Sequence, residues 1–222
     1  MNSRPLTAIY PKKRTDFLLK HRPDLAGFTL VEMLIAMTVS GVLFAGIAQV
    51  LINQRDGYVT RHQVVAMHQQ SRDAMGFMAR ELTMAGYDPT GCTCVGIVVA
   101  TANTLQVTQD LNGDGDAGDA NENITYVLYD DGGDGDQDLG RDTDGPGGVA
   151  PMLVAENVET LTFAYTLADG TTTAAPADLT QVRTIDMTLI ARTAQPDAQY
   201  EMNGGYRTHQ LTETVQLRNL GL

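Results

Sequence analysis

The sequence predicts an α+β fold: a long amino-terminal helix, apolar all round in its first half, packed by its second half on an antiparallel β-sheet domain. Three observations predict it. Residues 28–52, FTLVEMLIAMTVSGVLFAGIAQVLI, form an apolar run with a single charge, Glu32. Residues 53–84 contain no proline, and Val64, Met67, Ser71, Met75, Met78 and Leu82 recur there at three- and four-residue steps. After residue 90 the pattern switches to short runs of period two. With 222 residues, 43% of them hydrophobic, the chain can form one membrane or filament segment and one modest globular domain. Trp is absent, so the core must rest on Leu, Val, Ile, Met and a few Tyr and Phe.

Residues 1–27 are basic and irregular, with Pro5, Pro11 and Pro23 breaking any helix. All three lysines and Arg4, Arg14 and Arg22 lie in this segment. The run 28–52 follows. At 1.5 Å per residue it gives about 37 Å of helix, enough for a hydrocarbon core of about 30 Å. Its basic flank precedes it, so the amino terminus is expected in the cytoplasm and the bulk of the chain outside. The helix continues through 53–85 as an amphipathic half, with Arg61, Gln69, Arg72, Asp73, Arg80 and Glu81 mostly off the apolar stripe. Gly86 and Pro89 supply the stop, so the spacing predicts one helix over 28–85.

The remainder, 86–222, reads as a β-rich globular domain. CVGIVVA (94–100) and TLQVTQ (104–109) suggest a hairpin, and NITYVLY (123–129) a third strand. VETLTFAYTL (158–167), VRTIDMTLIA (182–191) and THQLTETVQLRNL (208–220) alternate cleanly and suggest an antiparallel meander on the helix stripe. Cys92 and Cys94 are separated by one residue and flanked by Gly91 and Gly96. In an oxidising compartment a tight turn lets them pair; otherwise they are two thiols, and the spacing leaves both alternatives open.

Glu32 is the anomaly. A carboxylate near a bilayer core costs about 2.5–3.5 kcal/mol, so such a residue is expected to have a partner and a task. No other charge lies between Phe28 and Ile52. The string Gly27-Phe28-Thr29-Leu30-Val31-Glu32, after a basic leader and before a long apolar helix, resembles a prepilin-type signal sequence. An ordinary secretory signal is cut after its apolar stretch, which is then lost. The resemblance implies cleavage before it, between Gly27 and Phe28, with N-methylation of Phe28. It gives Glu32 a partner in trans, the positive amino terminus of a neighbouring subunit during filament assembly. The segment DAMGFMARELTMAGYDP (73–89), with a β domain ending in LRNLGL, is similar to PilW-type minor pilins and the related J-type minor pseudopilins of type II secretion. The fold is then expected to be pilin-like. Two features depart from the family: the leader is long, and an Asp/Gly-rich insert is not general to it.

That insert has two parts. Residues 110–122, DLNGDGDAGDANE, place Asp110, Asn112, Asp114 and Asp116 as in the first half of an EF-hand loop, with Gly115 at the bend. The twelfth position is Asn121 rather than glutamate, so Asp119 and Glu122 are the substitute ligands. Residues 130–148 offer Asp134, Asp136, Asp138 and Asp142 at similar spacing, alone or in one cluster with the first loop. Hard oxygen donors in this pattern point to Ca²⁺, and binding would order an otherwise self-repelling excursion. The alternative is a pair of solvated, flexible loops.

Other chemistry is excluded or unsupported. Removing residues 1–27 takes six of the 15 basic residues and two of the 27 acidic ones, leaving nine against 25. By net charge such a body does not seek nucleic acid. No G-x-S-x-G, H-E-x-x-H or P-loop occurs, and His21, His62, His68 and His209 are scattered. The expected function is therefore structural, with neither enzymatic turnover nor a small-molecule substrate. The resemblance implies a minor pilin of the bacterial inner membrane, processed by a prepilin peptidase and joining other pilins through its helix at or near a type IV pilus tip. Two other readings stand beside it: a type II secretion minor pseudopilin, and an unprocessed single-pass Ca²⁺-binding membrane protein.

Overall fold

The structure, a computed structural model, describes residues 27–143 and 150–220. The leader upstream of Gly27 and the end of the second acidic stretch, 144–148, lie outside the described residues. The chain divides into two compact units, Met1–Asn53 and Gln54–Leu222. Helix α1, Leu30–Met84, runs for 55 residues. In the first unit its side chains are exposed on every face, and the run is long and apolar enough to cross a membrane.

In the second unit α1 is amphipathic and packs on antiparallel sheets. Met67, Ser71, Ala74, Met75, Met78 and Leu82 are buried on one stripe, with Val64 half-covered beside them. The helix stops at Gly86, whose φ of +76° is left-handed, and Leu220 packs where a Cβ would stand. The Asn219 side-chain amide donates to the Met84 and Ala85 carbonyls, both at 3.3 Å, satisfying acceptors that the last helical turn leaves open.

Among the described residues the β domain forms two antiparallel sheets. The first has five strands in sequence order: β1 (Gly96–Ala100), β2 (Leu105–Thr108), β3 (Asn123–Tyr129), β4 (Asp138–Asp142) and β5 (Met152–Ala155). The second has the order β7-β6-β8-β9, from β6 (Val158–Leu167), β7 (Thr172–Thr173), β8 (Val182–Arg192) and β9 (Thr208–Gln216). Its meander is set by facing apolar pairs: Phe163 opposite Met187, Tyr165 opposite Ile185, and Ile185 opposite Val215. Leu105, Val107, Ile124, Tyr126 and Leu139 extend the same core from the first sheet.

Strand β4 corrects the sequence reading, which placed its residues in an acidic loop. The stretch Asp138-Leu139-Gly140-Arg141-Asp142 has one large apolar residue, yet four of its five residues are buried. Leu139 enters the core, and Arg141 finds a carboxylate there. That carboxylate is Glu81, which the helical spacing set off the stripe. It is only 18% exposed and meets Arg141 Nη2 at 2.8 Å across the helix–sheet interface.

Candidate functional site

At the amino-terminal end, Gly27, Phe28 and Thr29 precede the helix in extended chain. Thr29 caps it. The Thr29 N–H and Oγ–H both donate to Glu32 Oε2 at 2.9 Å, and the Glu32 N–H donates back to Thr29 Oγ1 at 3.2 Å. This reciprocal arrangement is a capping box, T-x-x-E, which satisfies donors that a first helical turn leaves open. Glu32 therefore has a partner within its own segment, where the sequence reading sought one only in another subunit. The T-x-x-E pattern of Thr29-Leu30-Val31-Glu32 carries this signal in the sequence itself. Phe28 is 84% exposed and Glu32 is also on the surface, so both are open to a neighbour.

The first acidic loop joins β2 to β3. Asp114, Asp116 and Asp119 are exposed and each brings an oxygen within 4.8 Å of the other two. Their crowding has an electrostatic signature. The negative charge of Asp114, helped by some desolvation and by Asp116 and Glu122, raises the Asp119 carboxyl above the usual range. Asp114 is held low, chiefly by the Asp116 N–H and the Asn112 amide. The Asn112 Nδ2 donates to Asp114 at 3.0 Å and to Asp119 at 2.7 Å.

Asp110 and Glu122, expected among the ligands, are turned to the backbone. Asp110 accepts the Gly113 and Gly115 N–H groups at 2.7 and 3.2 Å, with Gly115 at φ +93° making the bend. Glu122 Oε1 accepts from Leu111 and Asn112 at 2.9 and 3.2 Å. The exposed carboxylates of Asp114, Asp116 and Asp119 are hard oxygen donors of the type Ca²⁺ takes, and carbonyls or waters would have to complete its six to eight ligands.

The second acidic stretch is not one constellation. Asp134 accepts the Asp136 N–H at 3.3 Å, and Asp136 Oδ2 reaches Arg192 Nη2 at 3.3 Å. Asp138 is buried, accepting the Asp131 N–H at 3.0 Å and the Asn157 N–H at 2.8 Å. Asp142 lies four residues further along β4, about 13 Å from Asp138 at 3.3 Å per residue. A cluster shared between the two stretches is also ruled out. They leave opposite ends of β3, a seven-residue strand about 20 Å long.

Cys92 and Cys94 are joined, with Cα atoms 5.2 Å apart. His68 on α1 and His209 on β9, read from the sequence as ordinary polar residues, stack with ring centroids 3.8 Å apart.

Comparison with known proteins bears on the amino-terminal end. Residues 25–48 match the family model described as the prokaryotic N-terminal methylation motif. No curated protein matches the chain. Among solved structures, a type IV-like pilin from Thermus thermophilus is similar at 18% identity, covering 69% of this chain and 98% of its own, with a TM-score of 0.46. The motif coincides with the capped start of α1 and the apolar run behind it, so over residues 25–48 the chain carries a prokaryotic N-terminal methylation motif.

Proposed function

We propose that the chain is a minor subunit of a type IV pilus, acting in assembly at or near the filament tip. In this reading a prepilin peptidase cuts between Gly27 and Phe28, Phe28 is N-methylated, and the domain after residue 52 stands outside the inner membrane. The observation that carries the proposal is Glu32, an exposed carboxylate five residues after Gly27 within the methylation-motif segment. Before assembly Thr29 supplies its hydrogen bonds. In the filament the positive amino terminus of a neighbouring pilin would take up its charge, which favours entry of the correct partner into an apolar core. The chain then works by packing and turns over no substrate.

Intact-mass and N-terminal peptide analysis of protein from native cells tests this. The expected product starts at Phe28 with one added methyl group. A chain that retains its leader would overturn the proposal and favour an unprocessed membrane protein. Loss of pili in a deletion strain is expected; intact pili with blocked protein secretion would instead assign the chain to a type II secretion pseudopilus.

Calcium at the first acidic loop belongs to the same proposal, supported by the oxygen-only donor set of Asp114, Asp116 and Asp119. Calorimetric titration of the full chain in detergent should show Ca²⁺ uptake. Asp116→Asn with Asp119→Asn should weaken it at least about tenfold, since ligand charge sets affinity in such loops. Equal uptake by parent and variant would remove calcium from this loop.

A further inference from the structure

The segment between α1 and β1 is wound around one carboxylate. Asp88 accepts the N–H groups of Thr90 at 3.1 Å, Gly91 at 2.6 Å, Cys92 at 3.1 Å and Thr93 at 3.2 Å. Thr93 sits between the two cysteines at φ +56°. A β-branched residue in the left-handed region is strained and persists only where its surroundings hold it there. Here the flanking residues are covalently tied, and the Cys94 N–H donates to Cys92 Sγ at 3.2 Å.

This loop is also the platform of the first acidic hairpin. The Thr90 hydroxyl donates to Asp110 Oδ2 at 2.9 Å, and the Asp110 N–H donates to the Tyr87 carbonyl at 2.8 Å. Cys94 Sγ lies 3.8 Å from the Gly115 carbonyl oxygen, at the bend of the hairpin. Asp110 in turn holds Gly113 and Gly115. The order of residues 110–116 thus rests on a loop whose least favourable residue is clamped by the disulfide. Cys94 is exposed, so a thiol or disulfide reagent can reach it.

We propose that the Cys92–Cys94 disulfide is a redox-controlled brace for the acidic hairpin. When it is formed, Thr93 stays left-handed, the N–H groups stay on Asp88, and the hairpin keeps its footing. When it is broken, Thr93 relaxes to an extended conformation, Cys94 leaves Gly115, and residues 110–119 loosen. Closure takes two protons and two electrons from the two thiols. An oxidant carrying its own disulfide receives them: its S–S bond breaks to two thiols as this one forms. A dithiol reductant runs the exchange in reverse. The hairpin is therefore ordered once the domain meets an oxidising compartment. The brace requires neither a bound cation nor a filament.

Hydrogen–deuterium exchange of the full chain in detergent micelles, before and after treatment with dithiothreitol, tests the brace. Residues 110–119 should exchange at least about fivefold faster after reduction, the effect expected from releasing one strained residue, while β6 and β8 stay unchanged. The double variant Cys92→Ser/Cys94→Ser should show the fast pattern with and without reductant. Thr93→Gly, which adopts positive φ without a clamp, should narrow the difference between the oxidised and reduced chains. Unchanged exchange at 110–119 on reduction overturns the proposal. So does an increase spread equally over β6 and β8, which would mean general destabilisation.

Discussion

Glu32 has two tasks at one position. As a charge it is out of place among apolar neighbours, and as the third residue of a helix it is well placed to cap it. The capping bonds make the second task testable apart from the first. Thr29→Val removes both the donor and the acceptor hydroxyl while keeping side-chain shape. Loss of a cap costs about 1 kcal/mol, so exchange of the Glu32 amide, which donates to the Thr29 hydroxyl, should rise about fivefold in micelles. Glu32→Gln keeps much of the cap and loses the charge. It should leave that exchange nearly unchanged yet reduce incorporation into filaments, measured as the fraction of subunit in sheared pili. If the two substitutions behave alike in both assays, capping and assembly are a single property. The capping box was legible in four letters of sequence, because N-cap chemistry is local.

Between elements, the strongest polar link is the Glu81 carboxylate of α1, which Arg141 of β4 meets through Nε at 3.0 Å and Nη2 at 2.8 Å. The Tyr126 hydroxyl of β3 donates to the same group, and burial, with the Glu81 charge second, pushes that phenol far above its ordinary range. Breaking a buried pair from one side strands the other charge. Glu81→Ala should therefore lower the unfolding free energy by about 3–5 kcal/mol in urea titrations. The double change Glu81→Leu/Arg141→Met, apolar on both sides, should recover most of the loss. A Glu81→Ala cost below 1 kcal/mol would mean that Arg141 reaches water when left alone. This clasp also explains what the sequence hid. Strands β3, β6 and β8 follow from alternation, which is a property of each run by itself. Strand β4 depends on Arg141, whose burial makes sense only beside Glu81, 60 residues earlier. Pairing over that distance leaves no periodic trace, so an Asp-rich stretch read as loop.

Across the molecule, charge is sorted by position: the lysines precede the apolar helix and acid dominates after it. In the unit Gln54–Leu222 one basic contact stands out. Desolvation, then the charges of His68 and Arg72, holds the His209 imidazole below its ordinary range. Its folded value is thus below the unfolded one near 6.5, and the contribution to stability is complete above that pH. As pH falls from about 6.5 toward the folded value the unfolded chain takes up the proton first, so stability declines. The urea midpoint should drop between pH 7.5 and 5.5, and His209→Asn should flatten that drop. An equal drop in parent and variant would assign the acid sensitivity to carboxylates instead. The α+β class, the helix stop at Gly86 and the closing meander could all be read in advance, since each rests on short-range pattern. The division into two sheets could not, because it is decided by how β4 and β5 extend the first.

The tail bond from Asn219 to the end of α1 has a consequence for synthesis. The carbonyls of Met84 and Ala85 wait for a donor that is translated more than 130 residues later. While the ribosome still holds the last strand, the long helix stays open at its far end and Leu217 has not filled its place in the core. Closure of the helix end therefore waits until Asn219 has been made. Asn219→Ala should leave both carbonyls without their side-chain donor and speed hydrogen exchange over the last turn of α1.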